Sequence, residues 1–426
     1  MITRRGMLHA LGAGCFTTLG LPGCASLRPP SGAKVVVVGG GYAGATAAKY
    51  VRIFSEHAID VILIEPNPQF VSPALSSRVI VGDLRLSDIT CSYQDLQRRH
   101  GVTRVQDRVT QIDTERHTVT LAHGHSIRYD RLVLAPGIDL MLDAVEGLAE
   151  GQAEGRVLPA WSAGSQSVAL HRQLLQMRNG GVFVITIPEA PYRCPPAPYE
   201  RASLVASFLQ RYKPASKVLV LDANEDVTAL GSLFKQVWAE RFANILEYRN
   251  HYNAVAVDPH SLTVRFEFQD DVQADVLNLM PPVRAGALAV QAGLANINAR
   301  WCEVDFLNFS STRARHVHVL GDSIQGAPMM PKSGHLANGQ AKVAAAAIVA
   351  DLLDQPIDPQ PMLTNTCFSF VNAREAMHAA MVYEYSGAAK SFRPVSGAGG
   401  ASPRPSALEG SYAMAWAHNI WADMLS

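Results

Sequence analysis

The chain has 426 residues, of which 48% are hydrophobic, and its 37 basic and 37 acidic side chains give a formal net charge of zero. This length predicts two or three packed units of a soluble globular protein. No block of basic residues indicates nucleic-acid binding, and no apolar run reaches the roughly 18 residues that a membrane-spanning helix needs. Three arginines and no acid fall in residues 1–31, so the remainder carries a net charge of −3. This weak acidic bias is compatible with a basic partner.

The first 31 residues resemble an export signal. Arg4-Arg5 precede the apolar run Met7–Leu21, which is too short and too rich in glycine for a membrane helix. A paired arginine in this position resembles a twin-arginine signal, which predicts a periplasmic protein; a disordered N-terminus is the alternative. Residues 21–24 resemble a lipoprotein cleavage box, so simple cleavage and lipid attachment at Cys24 both stay open.

The pattern that follows predicts a βαβ unit. Val35–Val38 form a buried strand, a glycine-rich turn opens a helix from about Ala45 to Phe54, and Val61–Ile64 form a second strand that ends at Glu65. This order is typical of a dinucleotide-binding fold.

The glycine spacing in that turn predicts a phosphate cradle. Gly39 allows the tight turn, Gly41 lets the backbone approach a pyrophosphate, and Gly44 lets the helix pack closely on the strand. The helix N-terminus offers free N–H groups to the phosphates, and Glu65 can accept hydrogen bonds from ribose hydroxyls.

Two later strands run into turns of similar character. Arg131–Leu134 lead into Ala135-Pro136-Gly137, and Val317–Leu320 lead into Gly321-Asp322. They resemble the later FAD signatures of flavoproteins with two dinucleotide domains, which predicts an FAD domain split into residues 34–150 and 280–350. The cofactor-binding candidates beyond the cradle and Glu65 are Tyr42, Ala43, Val109, Ala135, Gly137, Gly321 and Asp322.

Residues 151–279 predict a second Rossmann-like domain that has no NAD site. Its strands are Gly181–Ile187 and Lys217–Asp222, but the turn at residues 188–196 is rich in proline where a glycine fingerprint would be needed. Proline fixes φ and removes N–H donors, so this turn cannot form a phosphate nest. The predicted fold class is therefore α/β, with two Rossmann-like domains and a C-terminal domain over residues 351–426.

The C-terminal region is predicted to hold a long loop and a final helix. The stretch Ser386–Ala407 is rich in glycine, alanine, proline and serine, which favours a loop. Spacings of four and five put Tyr412, Trp416 and Trp421 on one broad helix face, with packing against the core as the simplest interpretation.

The cysteine pattern excludes several kinds of site. There is no Cys-x-x-Cys-His motif, so the chain binds no c-type haem of its own, and the histidine pairs lack a third ligand, so no metal is expected. Cys194 lies in the proline-rich turn, and Cys367 follows the FAD domain. We hypothesise a disulfide between them over the flavin; a purely stabilising disulfide or two free thiols are the alternatives.

With these motifs in hand, the mature chain resembles the flavoprotein subunit of flavocytochrome c sulfide dehydrogenase over nearly its whole length. The block around Cys194 is the most specific part. The segments that carry the resemblance are Gly39–Gly41, Gly44–Tyr50, Leu63–Asn67, Arg193–Pro196, Pro198–Ser203, Pro331–Gly334, Asn365–Cys367 and the helix of Trp416.

The resemblance implies FAD-dependent oxidation of sulfide through a redox disulfide, Cys194 with Cys367, and electron transfer to a separate c-type cytochrome subunit. Glu200 resembles the base proposed for sulfide, although an acid at a helix N-terminus is also favoured by the helix dipole alone. Lys332 could stabilise negative charge on the reduced flavin, or it could make an ordinary surface or phosphate contact.

One position departs from the family pattern. Many members hold FAD covalently through a cysteine in the segment that matches residues 70–77, where this chain has Pro73 and no cysteine. We therefore predict non-covalent FAD, since Cys91 lies beyond that segment.

Two other functions compete with this interpretation. Sulfide:quinone oxidoreductase shares the fold and the cysteine chemistry but delivers electrons to quinone. A flavin-binding accessory protein with a vestigial cysteine pair would instead serve to bind a cytochrome.

Overall fold

A computed structural model describes residues 32–426. The predicted export signal, with Arg4, Arg5 and Cys24, lies outside these described residues. None of the helices within residues 32–426 has the length and the hydropathy that a bilayer crossing requires.

The described chain alternates short strands with helices, as the sequence pattern predicts for an α/β protein. The helices are α1 (Tyr42–Phe54), α2 (Ser76–Ile80), α3 (Gln94–His100), α4 (Leu148–Ala153), α5 (Ser165–Gln176), α6 (Ala197–Tyr212), α7 (Gly231–Arg241), α8 (Ala287–Gln291), α9 (Gly334–Leu352) and α10 (Ala407–Leu425). The strands are β1 (Lys34–Val38), β2 (Asp60–Ile64), β3 (Gln69–Val71), β4 (Thr90–Ser92), β5 (Thr103–Val105), β6 (Val109–Asp113), β7 (Thr118–Leu121), β8 (Ser126–Arg128), β9 (Arg131–Leu134), β10 (Ile138–Leu140), β11 (Val182–Ile187), β12 (Lys217–Asp222), β13 (Leu246–Arg249), β14 (Ala254–Asp258), β15 (Thr263–Phe266), β16 (Val272–Gln273), β17 (Val276–Leu279), β18 (Val283–Ala285), β19 (Val304–Asp305), β20 (Ser310–Ser311), β21 (Val317–Val319), β22 (Met362–Phe370), β23 (Ala376–Ser386), β24 (Ser391–Pro394) and β25 (Gly400–Ala401).

The first sheet brings the predicted FAD signatures to one edge. Its order is β19-β20-β21-β9-β1-β2-β5, and β1 pairs in parallel with both β2 and β9, while β21 pairs in parallel with β9. Val35, Val36 and Val37 are fully buried, as expected for a parallel sheet covered on both faces. Because parallel strands end at the same edge, the turns that follow β1, β9 and β21 meet there.

The second sheet repeats this geometry in the inserted segment. It has the order β13-β12-β11-β17, with all neighbours parallel. The proline-rich turn connects the end of β11 to α6. This helix follows the first strand of the second sheet, as the phosphate-binding helix α1 follows β1 in the first sheet. The turn and the helix that carry Cys194 and Glu200 therefore start from the carboxyl edge of the second sheet.

The C-terminal region forms an antiparallel sheet covered by a helix. β22, β23 and β24 are neighbours, and β25 pairs with β23. The prediction of a loop over Ser386–Ala407 was wrong in part, because β24 and β25 lie within it. The long strand β23 offers an edge with which these short segments pair, and that tertiary contact overrides their composition.

The aromatic residues of α10 do not share one buried face. Tyr412 is 53% exposed, whereas Trp421 is 6% exposed. At 100° per residue, a spacing of five turns Trp421 about 140° away from Trp416. The prediction that all three aromatics pack into the core was therefore wrong for Tyr412.

Candidate active site

The two Rossmann-like domains and the C-terminal region together enclose one large cavity. Its volume is about 1370 Å³, with the open solvent at its mouth included. Residues from the glycine loop, from the proline-rich turn, from β22 and from α10 all line it. The site is therefore built from segments that are far apart in the sequence.

The glycine loop has the geometry of a phosphate cradle. A Cβ on Gly39, where φ is +97°, would lie 2.4 Å from the Ala135 carbonyl oxygen, and a Cβ on Gly44 would lie 1.8 Å from the Gly39 carbonyl oxygen. Gly41 lines the cavity, and a Cβ there would meet no atom within 4 Å. Gly39 and Gly44 are thus required for the turn itself, whereas Gly41 leaves space for a ligand to approach the backbone.

Glu65 stabilises this loop through a hydrogen bond. Its Oε2 accepts a hydrogen bond from the Gly40 N–H at 2.7 Å, and its Oε1 accepts from the backbone and the side chain of Asn67. Glu65 does not line the cavity, and neither does Val109, which is buried at the start of β6. The structure thus gives Glu65 a role in fixing the loop, and its contact with ribose stays a prediction.

The other predicted cofactor residues surround the cavity. The residues that line it are Tyr42, Ala43, Ala135, Gly137, Gly321 and Asp322. The Asp322 Oδ1 is buried and has no hydrogen-bond partner among the described residues, and burial raises the pKa of this carboxyl. A buried acceptor without a donor suits a ligand hydroxyl group, so these residues fit FAD.

In the described part of the chain, the cavity wall formed by residues 73–77 carries no thiol. Residues 73–77 line the cavity, and Pro73 is among them. Cys91 pairs with Phe70 across β3 and β4 and does not line the cavity. This geometry favours the predicted non-covalent attachment.

Both candidate redox cysteines line the cavity. Cys194 has a φ of +53°, and its N–H donates to the Lys332 carbonyl at 2.8 Å. Cys367 lies on β22, where the Asn365 Nδ2 donates to its Sγ at 3.4 Å. The structure carries both as free thiols, so their pairing as a disulfide stays a prediction.

The surroundings of the cysteines oppose ionisation. Burial raises the pKa of both thiols, and the Arg193 guanidinium opposes the shift of Cys194 only in part. A disulfide carries no charge and avoids this desolvation cost. The site is therefore better suited to a disulfide or to neutral thiols than to a pair of thiolates.

Glu200 stands in the same cavity, in the first turn of α6. Burial raises its pKa to about 7, although a hydrogen bond of 2.9 Å from the Phe370 N–H to its Oε1 and the charges of Arg78 and Arg201 oppose the rise. A carboxyl group with a pKa near neutrality can take up and release protons at physiological pH. This is the property that a base for sulfide requires.

The side chain of Lys332 does not line the cavity. Its Nζ lies 3.6 Å from the centroid of the Trp301 ring and donates to the Ile324 carbonyl, and burial lowers the pKa of the amine to about 8. Its neighbours Ser333 and Gly334 do line the cavity, at the N-terminus of α9. That helix terminus can stabilise negative charge in the cavity through its dipole, whereas Lys332 positions Cys194 through its backbone.

Sequence reasoning missed a cluster of three cavity residues. The guanidinium carbons of Arg193 and Arg201 lie 5.7 and 5.5 Å from the centroid of the Trp161 ring. Arg201 is buried and donates to Asn278 at 2.8 Å and to the Ala160 carbonyl at 2.9 Å. The two arginines fall within the segments that carry the family resemblance, but no local pattern connects them with Trp161.

Three family models match the chain in succession. Residues 33–166 match the pyridine nucleotide-disulphide oxidoreductases, and residues 167–281 match the central part of the sulfide dehydrogenase (flavocytochrome c) flavoprotein chain. Residues 359–425 match the flavin-binding domain of flavocytochrome c sulphide dehydrogenase.

Curated relatives extend this likeness. The chain is 25% identical over 330 residues to the mitochondrial sulfide:quinone oxidoreductase of Mus musculus, which covers 72% of this chain and 71% of that protein. A 46-residue stretch, 11% of this chain, is 48% identical to the sulfide dehydrogenase (flavocytochrome c) flavoprotein chain of Chlorobaculum thiosulfatiphilum and covers 94% of that sequence.

A solved structure shares the fold. The sulfide:quinone oxidoreductase from the bacterium Aquifex aeolicus superposes with a TM-score of 0.75 at 19% identity, over 92% of this chain and 91% of that one. The predicted α/β fold with parallel sheets is thereby confirmed.

Proposed function

Because the chain belongs to the flavoprotein-chain family of flavocytochrome c sulfide dehydrogenase, within the pyridine nucleotide-disulphide oxidoreductases, we propose that it passes electrons from sulfide to a separate c-type cytochrome. The chain is an FAD-binding flavoprotein that oxidises sulfide. The identity of the electron acceptor is the part that we propose.

One observation carries the proposed chemistry. Cys194, Cys367 and Glu200 come from three different elements and line a single cavity together with the glycine cradle. Two sulfur atoms and a base beside a flavin site are the groups that sulfide oxidation through a disulfide requires.

The first step is attack on the disulfide. Hydrosulfide forms an S–S bond to one sulfur of the Cys194–Cys367 disulfide, and the bond between the cysteines breaks. One cysteine then carries a persulfide, and the other leaves as a thiolate. Glu200 accepts the proton of the incoming sulfide, because its carboxylate form is available above about pH 7.

The second step restores the pair. A nucleophilic acceptor removes the outer sulfur, which leaves two reduced cysteines, and their return to the disulfide releases two electrons and two protons. Bound FAD supplies a two-electron acceptor that can also release electrons one at a time. Gly39, Gly41, Gly44 and Asp322 would hold it beside the cysteines.

The acceptor is tested by a direct comparison. We expect purified protein to reduce cytochrome c with sulfide faster than it reduces a soluble quinone. Faster quinone reduction would support the second candidate, sulfide:quinone oxidoreductase. This candidate is favoured by the long alignments with two proteins of that name and with a sulfide-quinone reductase, at 24–25% identity.

Non-covalent attachment has its own test. Since Pro73 occupies the family's attachment segment, we expect acid precipitation to leave FAD in the supernatant. Flavin that remained in the pellet would contradict this proposal and direct attention to Cys91.

We also propose that residues 1–31 direct export to the periplasm by the twin-arginine route. Replacing Arg4-Arg5 with two lysines should retain the protein in the cytoplasm. The mass of the mature N-terminus distinguishes simple cleavage from lipid attachment at Cys24.

A further inference from the structure

A basic pocket lies at the edge of the first sheet opposite to the cavity, where the described chain begins. The carboxyl end of β1 leads to the glycine cradle, whereas its amino end, at Lys34, lines this pocket. Gly32 lies at its border. The basic pocket is formed by Lys34, Arg116, His117, Arg128, Tyr129 and Asp130.

Positive charge dominates this pocket. Three permanent cations face one carboxylate, that of Asp130, whose Oδ2 already accepts the Lys34 N–H at 2.7 Å. Arg116 also lies 3.8 Å from Asp113, but its side chain is 84% exposed, and exposed ion pairs of this kind contribute little. Arg128 has no carboxylate within 4 Å among the described residues. The pocket therefore attracts an anion.

Tyr129 lines the same pocket, and its buried hydroxyl group lacks a partner among the described residues. Tyr129 is 4% exposed, and its hydroxyl group makes no hydrogen bond within residues 32–426. Its backbone N–H donates to the His117 carbonyl, and the two rings stack with their centroids 5.5 Å apart. A buried donor without an acceptor is uncommon in proteins, and an oxygen of a bound anion would satisfy it.

The chain's own N-terminal segment cannot supply that anion. Residues 1–31 contain no aspartate or glutamate, and they bring Arg4, Arg5 and Arg28. The anion must therefore come from a source other than residues 1–31.

The position of the pocket indicates which kind of molecule supplies the anion. Cys24 lies eight residues before Gly32, and eight extended residues span at most about 29 Å. Lipid attachment at Cys24, one of the two alternatives left open above, would keep this face of the protein close to a bilayer. Each basic side chain near an anionic membrane increases the affinity by about fivefold.

We propose that the basic pocket binds the phosphate of an anionic phospholipid headgroup and so determines which face the protein turns to the membrane. The cavity with Cys194 lies at the opposite edge of the first sheet. It would then face away from the membrane, toward the compartment that supplies sulfide and its electron acceptor.

Vesicle binding tests this proposal. The full-length Cys24→Ala variant is used, so that no attached lipid contributes, and it is sedimented with vesicles of phosphatidylcholine alone or with phosphatidylglycerol added. We expect R116E/R128E to lower the affinity for the anionic vesicles by at least about tenfold. The control R249E/R265E makes the same charge change on β13 and β15, and we expect less than about a twofold loss.

Two further variants separate binding from folding. R116Q/R128Q removes charge without reversing it and should weaken binding to an intermediate extent, with the flavin content unchanged. Tyr129→Phe should weaken binding by about threefold while Tm stays the same or rises, since the deleted hydroxyl group has no partner to lose. A purely structural role of Tyr129 would not lower vesicle affinity at unchanged Tm.

Three outcomes would overturn the proposal. They are equal affinity for both kinds of vesicle, an equal loss in the two charge-reversal variants, and binding of inorganic phosphate in the pocket with unchanged vesicle affinity in R116E/R128E. The last result would make the pocket a site for a free anion instead of a lipid headgroup. None of these outcomes bears on sulfide oxidation, which is assayed separately.

Discussion

The two Rossmann-like halves of this protein share one framework and differ in the turn that follows the first strand. In the first half, that turn is a glycine loop in which Gly39 and Gly44 tolerate no Cβ and Gly41 leaves open space. In the second half, the equivalent turn is rich in proline, and it places Cys194 at the wall of the cavity. The same framework therefore positions a phosphate cradle in one case and a cysteine at the cavity wall in the other.

The acids at the ends of the second strands, Glu65 and Asp222, also differ between the two halves. Glu65 accepts the N–H of the glycine loop and stabilises a cradle. Asp222 is fully buried and accepts hydrogen bonds from the hydroxyls of Tyr199 and Tyr248, at 2.7 and 3.1 Å. Asp222 is thus engaged by tyrosine hydroxyls of its own domain, whereas Glu65 is engaged by the glycine loop itself.

The largest effect is expected from removal of the Cys194 thiol in the second half. Replacing Cys194 with serine should slow sulfide-dependent reduction of the flavin by at least about a thousandfold, because serine cannot form the disulfide. Stopped-flow absorbance of the flavin measures this rate. Cys91→Ser is the matched control and should keep both the rate and the FAD; flavin bleaching that survived in Cys194→Ser would refute the disulfide mechanism.

Glu200 should impose a pH dependence on the same step. Its carboxyl group has a pKa of about 7, and only the deprotonated form can accept a proton, so the rate should rise with pH through about 7 and then level off. Glu200→Gln should lower the plateau by about a hundredfold and remove this rise. Any rise that persists in that variant belongs to the ionisation of sulfide, and Glu189→Gln, an exposed acid in the proline-rich turn, should behave as the unchanged protein.

The cradle can be tested without disturbing the fold. Gly41→Ala adds a methyl group that meets no protein atom within 4 Å, so Tm of the protein without FAD should stay unchanged. The methyl group would enter the space for the pyrophosphate, so we expect FAD affinity to fall by about tenfold or more in a flavin titration. Gly231→Ala at the start of α7 is the control in the second half and should leave FAD affinity unchanged.

The smallest expected effect distinguishes Asp222 from Glu65, the acids at the ends of the second strands. Asp222→Asn should lower the free energy of unfolding by about 1–3 kcal/mol with no change in FAD content, because it disturbs buried hydrogen bonds far from the cradle. Glu65→Gln should instead lower FAD affinity, since it alters the acceptor of the Gly40 N–H. Urea unfolding and flavin titration on both variants give the comparison, and a loss of FAD in Asp222→Asn would show that the second half still contributes to nucleotide binding.

Local sequence patterns predicted much of the framework and part of the site. The strand Arg131–Leu134 was predicted with its observed bounds, and the glycine loop follows from spacing alone, because turns and helix starts depend on neighbouring residues. The same local rules failed at Ser386–Ala407, where pairing with β23 turns a loop-like composition into two short strands.

What the sequence determined by itself is the nucleotide cradle at Gly39, Gly41 and Gly44 and the proline-rich turn at Cys194, since both are properties of a few consecutive residues. Only the tertiary structure decided that Cys367 and Glu200 line the same cavity as Cys194. It also placed Trp161 against Arg193 and Arg201 and turned Lys332 away from the cavity toward Trp301. The reason is physical: backbone preferences act between neighbours in the chain, whereas burial and the shifts in pKa that follow from it depend on which distant segments pack together.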